Sequence, residues 1–439
     1  MFELSTIIPV YNCWELTEAC LRSLAEHSAG HTQEVIVVDN ASTDATAQAC
    51  PALGKTLFGA HFQYLRQEKN RNFGPACNIG ARAARSDIIF FLNNDTLLTA
   101  GWLPPLLQAV RDADAPVLAG PLLLYPQFLG FPDRVQHMGV TVTPHGCVEH
   151  LFEGFPADHP ACRAQRPLQI ITGAALMLNR QFFLENGAFH EGFINGFEDV
   201  ELCRRLGKRG AQMCCVPDSR VYHLVSRTAG RHKYEEHNSR LLRRLCTLIP
   251  DWEYFAKRQG YEIAMAPGAE LYPRLPERRR QLLEKQHARH PDSLRELLLQ
   301  EPLWYEGYSL LADQLAAAGD VVRAMQTLSL AYNFYPHPTL LDVMLRLAVQ
   351  SEDSILLEDA KTSWEKAHAV TLDILISHAL GWRSYFLQHH NGTLVTLYDQ
   401  WLRQAVDLLP LYPATTTSRQ ELAALAATPA EKIRYVLSK

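Results

Sequence analysis

Five carboxylates in the first half of the chain stand where a carboxylate can do chemistry. Asp95 closes an apolar run as Asn93-Asn94-Asp95. From the end of a buried strand it could hold a hard divalent ion that bridges a diphosphate. Glu198-Asp199 precede Val200, Leu202, Cys203 and Leu206 at helical spacing. Such a pair can take a proton from a substrate or merely balance a helix N-terminus. Asp39 and Asp44 flank a short Ser/Thr turn; they suit a ligand contact, or the end of a strand and the cap of a helix. His223 offers one imidazole, a metal ligand or a structural histidine. The first apolar run ends in Pro9-Val10-Tyr11-Asn12-Cys13 without a glycine, so the dinucleotide fingerprint is missing, and no P-loop occurs in the chain. Phosphate would have to be met by a metal or by cations such as Arg227, Arg231 and Lys233.

The elements that would place these groups alternate. Residues 5–10 read as a strand, 14–27 as a helix, 34–38 as a β-branched strand and a helix follows Asp44. Residues 62–65 are a weaker strand, 78–84 a helix and 87–92 an apolar strand. That order predicts an α/β domain, with a mostly parallel sheet covered by helices on both faces and ligands at the carboxyl ends of the strands. Tyr11-Asn12, Asp39-Asn40, Asn72 and Asn93–Asp95 fall at those ends. Between residues 121 and 166 the chain turns proline-rich and holds His137, His145, His150 and His159. Their spacing fits no helix-face ligand pair, so an insert of strands and loops on the acceptor side of the cleft is expected rather than a zinc site.

The ordered set Thr6-Ile7-Ile8-Pro9-Val10-Tyr11-Asn12, Val37-Val38-Asp39-Asn40-Ala41-Ser42-Thr43-Asp44, Asn72-Phe73-Gly74-Pro75-Ala76-Cys77-Asn78 and Leu92-Asn93-Asn94-Asp95 resembles the family 2 glycosyltransferases, and more narrowly their rhamnosyltransferase-like branch. Gly173-Ala174-Ala175-Leu176-Met177, Phe182, Gly187-Ala188-Phe189, Phe197-Glu198-Asp199-Val200-Glu201-Leu202-Cys203-Arg204-Arg205 and Tyr222-His223 continue the pattern. The resemblance spans roughly residues 4–245. It implies a GT-A (nucleotide-diphospho-sugar transferase) fold, a UDP- or dTDP-sugar donor, a divalent cation (Mn2+ or Mg2+) and inversion at the anomeric carbon. It further implies that Asp39 hydrogen-bonds the donor base above a floor of Pro9, Tyr11 and Asn12, with Asn72, Asn78 and Asn94 near the donor. Asp95 matches the metal-binding carboxylate, His223 a second metal ligand, and Asp199, paired with Glu198, the general base. Asn93 departs from the pattern, standing where the metal motif has its first acid; an amide binds Mg2+ or Mn2+ more weakly.

Composition bounds the rest. With 439 residues, 47% hydrophobic, 20% charged and a net charge of −5, the chain suits soluble globular domains and lacks the basic character of a nucleic-acid binder. All ten cysteines lie between Cys13 and Cys246, without a CxxC pair, and the scattered Cys20, Cys77 and Cys203 read as small buried hydrophobes of a reducing compartment. No secretory signal and no run of the ~18–20 apolar residues that spans a bilayer is visible; a cytoplasmic protein is expected.

The domains expected are the transferase over 1–250, a connector over 251–276, and an all-α, tetratricopeptide-like domain over 277–439. Tyr308, Leu311-Ala312, Leu315, Gly319, Ala324, Leu328, Ala331 and Pro336 carry the repeat-like pattern, and Pro302 precedes Pro336 by 34 residues. The helical part would either make a homodimer or hold a peptide, so the acceptor hydroxyl is that of a saccharide or of a protein side chain. The alternative function is a weakly active or non-catalytic scaffold that binds a peptide or partner protein, suggested by Asn93.

Overall fold

The computed structural model describes residues 2–126, 132–224, 231–286, 291–351 and 353–413. The chain divides into two units, residues 1–252 and 253–439.

In the first unit β1 (Leu4–Val10), α1 (Trp14–His27), β2 (Gln33–Asp39), α2 (Thr46–Phe58), β3 (Phe62–Arg66), α3 (Phe73–Ala83) and β4 (Ile88–Leu92) alternate as expected. Next come β5 (Thr96–Leu98), α4 (Leu103–Arg111), β6 (Val117–Leu124), β7 (Val135–His137), β8 (Val140–Val142), β9 (Val148–His150) and α5 (Pro160–Arg163). The unit continues with β10 (Ala175–Asn179), α6 (Arg180–Glu185), α7 (Glu198–Gly207), β11 (Gln212–His223) and α8 (Glu235–Leu245). One sheet runs in the order β3-β2-β1-β4-β10-β6-β11-β5, with β7 beside β6.

β1 is parallel to β2 and β4, and β2 to β3. Beyond β4 the expectation of a mostly parallel sheet fails. β10 lies antiparallel between β4 and β6, while β11 is parallel to β6 and antiparallel to β5. A parallel neighbour needs a crossover that returns the chain to the same end of the sheet. The long excursion from Asn93 to Ala174 instead delivers β10 from the opposite end.

Period-2 alternation sorts the strand side chains. Ile8, Val10, Val35, Val37, Phe90 and Leu92 join Cys20, Leu21 and Leu24 of α1 and Leu103, Leu106 and Leu107 of α4 in one core. Ile7 faces α3, which approaches so closely that a Cβ on Gly80 would stand 2.3 Å from Ile7 Cγ2. That contact requires glycine. The ten thiols are unpaired; burial pushes Cys20 up to about 12, which removes it as a nucleophile.

The second unit is mostly helical. Residues 251–276, expected as an irregular connector, hold α9 (Trp252–Arg258) and a hairpin of β12 (Glu262–Met265) and β13 (Leu271–Arg274). The hairpin is fastened to this unit's helices, since Trp401 Nε1 donates to Ala266 O at 3.1 Å. Then follow α10 (Glu277–Gln286), α11 (Pro291–Gln300), α12 (Tyr305–Ala317), α13 (Val321–Phe334), α14 (Pro338–Ser351), α15 (Ser354–His368), α16 (Leu372–Gln388) and α17 (Gly392–Gln404). Consecutive helices pack from α11 to α15, and α16 packs on α17. The expected repeat positions Tyr308, Leu311, Ala312, Ala324, Leu328 and Ala331 are buried between α12 and α13, so the all-α expectation holds. Among the described residues no helix is long and apolar enough to cross a membrane.

Candidate functional site

Four loops at the carboxyl ends of β1, β2, β3 and β4, with the loop that enters α7, surround the candidate site. Of the ten non-glycine residues at positive φ among the described residues, six lie in these loops: Asn12, Cys13, Ala41, Asn72, Asn195 and Phe197. Such backbone is costly and collects where function requires it.

The first two loops are tied together. Asn12 N donates to Ser42 Oγ at 2.8 Å, Thr43 N donates to Asn12 Oδ1 at 2.7 Å, and Trp14 N donates to Asp44 Oδ2 at 3.0 Å. Pro9 is buried beneath, and Tyr11 is 47% exposed. Asp39 anchors this assembly from below. It is fully buried; Oδ1 accepts from Ser42 N at 2.9 Å and Ser42 Oγ at 2.5 Å, and Oδ2 accepts from Tyr64 Oη at 2.6 Å and Arg66 Nη1 at 2.7 Å. Four donors saturate the carboxylate, so Asp39 lies under the cleft rather than in it. One donor, such as the part-exposed Arg66, would have to yield before Asp39 could reach a base.

Asn78 is held by its neighbours in the same way. It is buried, donates to Phe189 O at 2.9 Å and Glu191 Oε1 at 3.0 Å, and accepts from Phe189 N at 2.9 Å. Its amide fastens α3 to the 189–191 turn. Asn72 stays at the rim: its carbonyl accepts from Asn40 Nδ2 at 3.3 Å, and the next residue, Phe73, donates its N–H to Asn195 Oδ1 at 3.0 Å.

β4 delivers the metal-motif residues. Asn94 Nδ2 donates to Thr17 Oγ1 at 2.9 Å, which ties the turn to α1, and Asn93 N donates to Ala174 O at 2.8 Å. Asp95 is 5% exposed and His223, at the end of β11, is 8% exposed. His223 Nε2 stands 3.2 Å from Asp95 Oδ1. On the other side of the ring, Nδ1 stands 3.1 Å from Gln136 Oε1. An amide oxygen only accepts, so this contact is a hydrogen bond when Nδ1 carries the proton. A carboxylate oxygen and an imidazole nitrogen side by side form a donor set that suits a divalent ion such as Mn2+. Among the described residues no group of three or more metal-ligating side chains forms.

Asp199 lies in the first turn of α7. Its Oδ2 accepts from Gly173 N at 2.8 Å and its Oδ1 from Val200 N at 2.9 Å. Gly173 just precedes β10, whose Ala175 pairs with Leu92 of β4, so the Asp95 and Asp199 turns share one register. A Cβ on Gly173 would come to 3.2 Å from Phe73 Cε1 and 3.4 Å from Asp199 Cβ. Glu198 is buried and turns back to accept from Gly196 N at 2.6 Å, so of the expected pair only Asp199 remains half-buried at the cleft.

Sequence reasoning missed several supports. Asn238 of α8 is buried and bonds both Ile194 N (3.0 Å) and Ile194 O (2.9 Å), bracing the loop that leads to Asp199. A polar side chain three and four residues before Leu241 and Leu242 was the available signal. Gln136 gave none. His137 and His150 do meet, Nδ1 to Nδ1 at 2.8 Å, and Thr172 N donates to His137 Nε2 at 3.2 Å. Burial, more than the facing His150 and His223 rings, pushes His137 well below the ordinary histidine range. His137 is thereby held neutral in a hydrogen-bonded pair with His150. His159 instead caps α5, accepting from Ala161 N at 3.1 Å. Of the cationic loop, Arg227 and the Arg231 side chain lie outside the described residues; Lys233 is exposed.

Comparison with known proteins gives the site its context. Residues 5–184 match the family described as Glycosyl transferase family 2. The chain is 27% identical over 284 residues to the O-antigen biosynthesis protein RfbC of Myxococcus xanthus, covering 62% of this chain and 20% of that protein. It is also 27% identical over 213 residues to the N-acetylglucosaminyl-diphospho-decaprenol L-rhamnosyltransferase of Mycobacterium tuberculosis, covering 45% of this chain and 68% of that protein. The chain spans between 20% and 40% of the length of the first curated relatives it matches. Among solved structures, GalNAc-T7 with UDP, GalNAc and Mn2+ aligns with a TM-score of 0.44 at 19% identity, covering 51% of this chain and 44% of that one. With the ordered motifs, their shared loops and the family match falling together, residues 5–184 are a family 2 glycosyltransferase domain.

Proposed function

We propose that the chain transfers a sugar, with inversion, from a UDP- or dTDP-sugar to an acceptor hydroxyl of a saccharide or a protein side chain. The observation that carries this reading is the pairing of Asp95 with His223 just past the end of β4, together with Asp199 held by Gly173 N at the residue pair that leads into β10 beside that end. The first suits a leaving diphosphate and the second an attacking hydroxyl.

Asp199 takes the proton from the acceptor oxygen as that oxygen bonds to the anomeric carbon from the face opposite the departing diphosphate. Two backbone N–H groups fix the direction of its carboxylate, so the base is aligned before substrate arrives. Asp95 and His223 would hold a divalent cation, which supplies neutralisation of the charge that builds on the diphosphate. The loops joined by Asn12, Ser42, Thr43 and Asp44 form the base side of the cleft, with Tyr11 at its surface and Asp39 beneath. The Asp95–His223 pairing forms despite Asn93, which supports the catalytic reading over the scaffold. The test is the release of nucleoside diphosphate from nucleotide sugars by the whole chain with Mn2+, Mg2+ or chelator. Turnover lost on replacing Asp199 but retained in donor binding supports the assignment; loss of donor binding with retained transfer overturns it.

A further inference from the structure

The short strand β7 lies beside the metal side of the site and breaks its own register there. His137 pairs with Leu123 of β6, yet Val135 pairs with Leu124. One residue therefore separates the pairs on β7 where none does on β6, and that extra residue is Gln136. A β-bulge of this kind turns a side chain out of the alternation of its strand, and bulges gather next to active sites for that reason. The side chain so turned is 6% exposed and puts Oε1 3.1 Å from His223 Nδ1.

We propose that Gln136 is a positioning residue that sets the tautomer and orientation of His223. Its amide oxygen accepts the hydrogen bond of Nδ1–H, and the Nε2 lone pair is thereby turned toward Asp95 Oδ1, 3.2 Å away. A histidine ligand whose second nitrogen is held by an acceptor is a more basic and better aligned ligand. The inference rests on the metal-binding reading of His223, but the tautomer can be read without metal.

The experiment uses the full chain labelled with 15N-histidine, free of metal, in mildly alkaline buffer where histidine is neutral. Long-range 1H–15N NMR reports the tautomer, with His223→Asn serving only to assign the signal, and calorimetry with Mn2+ reports affinity. Wild type is expected to show His223 protonated on Nδ1. Gln136→Glu, which keeps an acceptor, should preserve that tautomer and hold the Mn2+ affinity within a few-fold. Gln136→Leu and the closer-fitting Gln136→Met should move the proton to Nε2 and weaken Mn2+ by roughly 10–100-fold. Wild type protonated on Nε2 overturns the inference without recourse to any variant. So does a folded Leu or Met variant that keeps the wild-type tautomer and affinity. A tautomer that follows residue 136 while no form of the chain binds Mn2+ supports the positioning role and sinks the metal reading.

Discussion

His223 Nε2 lies 3.2 Å from Asp95 Oδ1, although the two residues are far apart in the sequence. The contact is made by the sheet: β5, which follows Asp95, pairs antiparallel with the end of β11, setting His223 opposite Thr96. Leu224 N then donates to Asp95 O at 2.8 Å and locks the crossing. Asp95→Asn and His223→Ala should each lower transfer by about 10²-fold or more, the scale of removing one electrostatic stabiliser of developing charge. Part of the loss should return at high Mn2+. Steady-state kinetics across a metal titration checks this; full activity in chelator for both variants would contradict it.

Asp199→Asn keeps the size of the side chain and an oxygen for the Gly173 N–H, but cannot take a proton. Transfer should fall by roughly 10²–10⁴-fold, the range for a general base, with nucleoside diphosphate affinity by calorimetry unchanged.

Gly173→Ala tests the same corner sterically. The new methyl would press on the Phe73 ring and on Asp199 Cβ at 3.2 and 3.4 Å. Misplacing the base should lower kcat by up to ~10²-fold, while overpacking costs about 1–3 kcal/mol of stability. Chemical denaturation read beside kinetics separates the two.

Much of this site was legible in the order of its motifs, because strand ends and turn residues leave local signals. The helix expected over 14–27 is α1, residue for residue. The helix expected over 78–84 begins five residues earlier, at Phe73, since Gly74 and Pro75 occupy a first turn that tolerates proline. What was not legible depends on tertiary placement. Period-2 patterning does not tell a parallel from an antiparallel neighbour, so the antiparallel β10 at the centre of the sheet was not foreseen. Asn78 and Asp39 look like ligand residues by type, and nothing in their spacing announces the burial and hydrogen bonds that hold them. Gln136 owes its position to a one-residue bulge in a three-residue strand, which leaves no periodic trace.

Glu34 supplies a pH dependence away from the site. Burial raises its pKa, but hydrogen bonds from Arg85, Ser5 and Gln63 outweigh it and hold the carboxyl below the usual 4.5. Arg85 Nε approaches to 2.6 Å and Ser5 Oγ to 2.8 Å. Because the folded pKa is depressed, this stabilisation is complete above about pH 4.5 and is lost as pH falls through the lower folded value. Glu34→Gln should cost about 1 kcal/mol near neutral pH and show a shallower fall in acid. Denaturation midpoints from pH 7 to 3 give both numbers.

The central claim is that Asp95, His223 and Asp199 form one sugar-transfer site, and nucleoside diphosphate release from a panel of nucleotide sugars tests it most directly. Wild type with Mn2+ should release UDP or dTDP from at least one donor, chelator should suppress the release, and Asp199→Asn should abolish acceptor-dependent release while still binding the donor. A wild-type chain that binds no nucleotide sugar and releases nothing from any of them would contradict it.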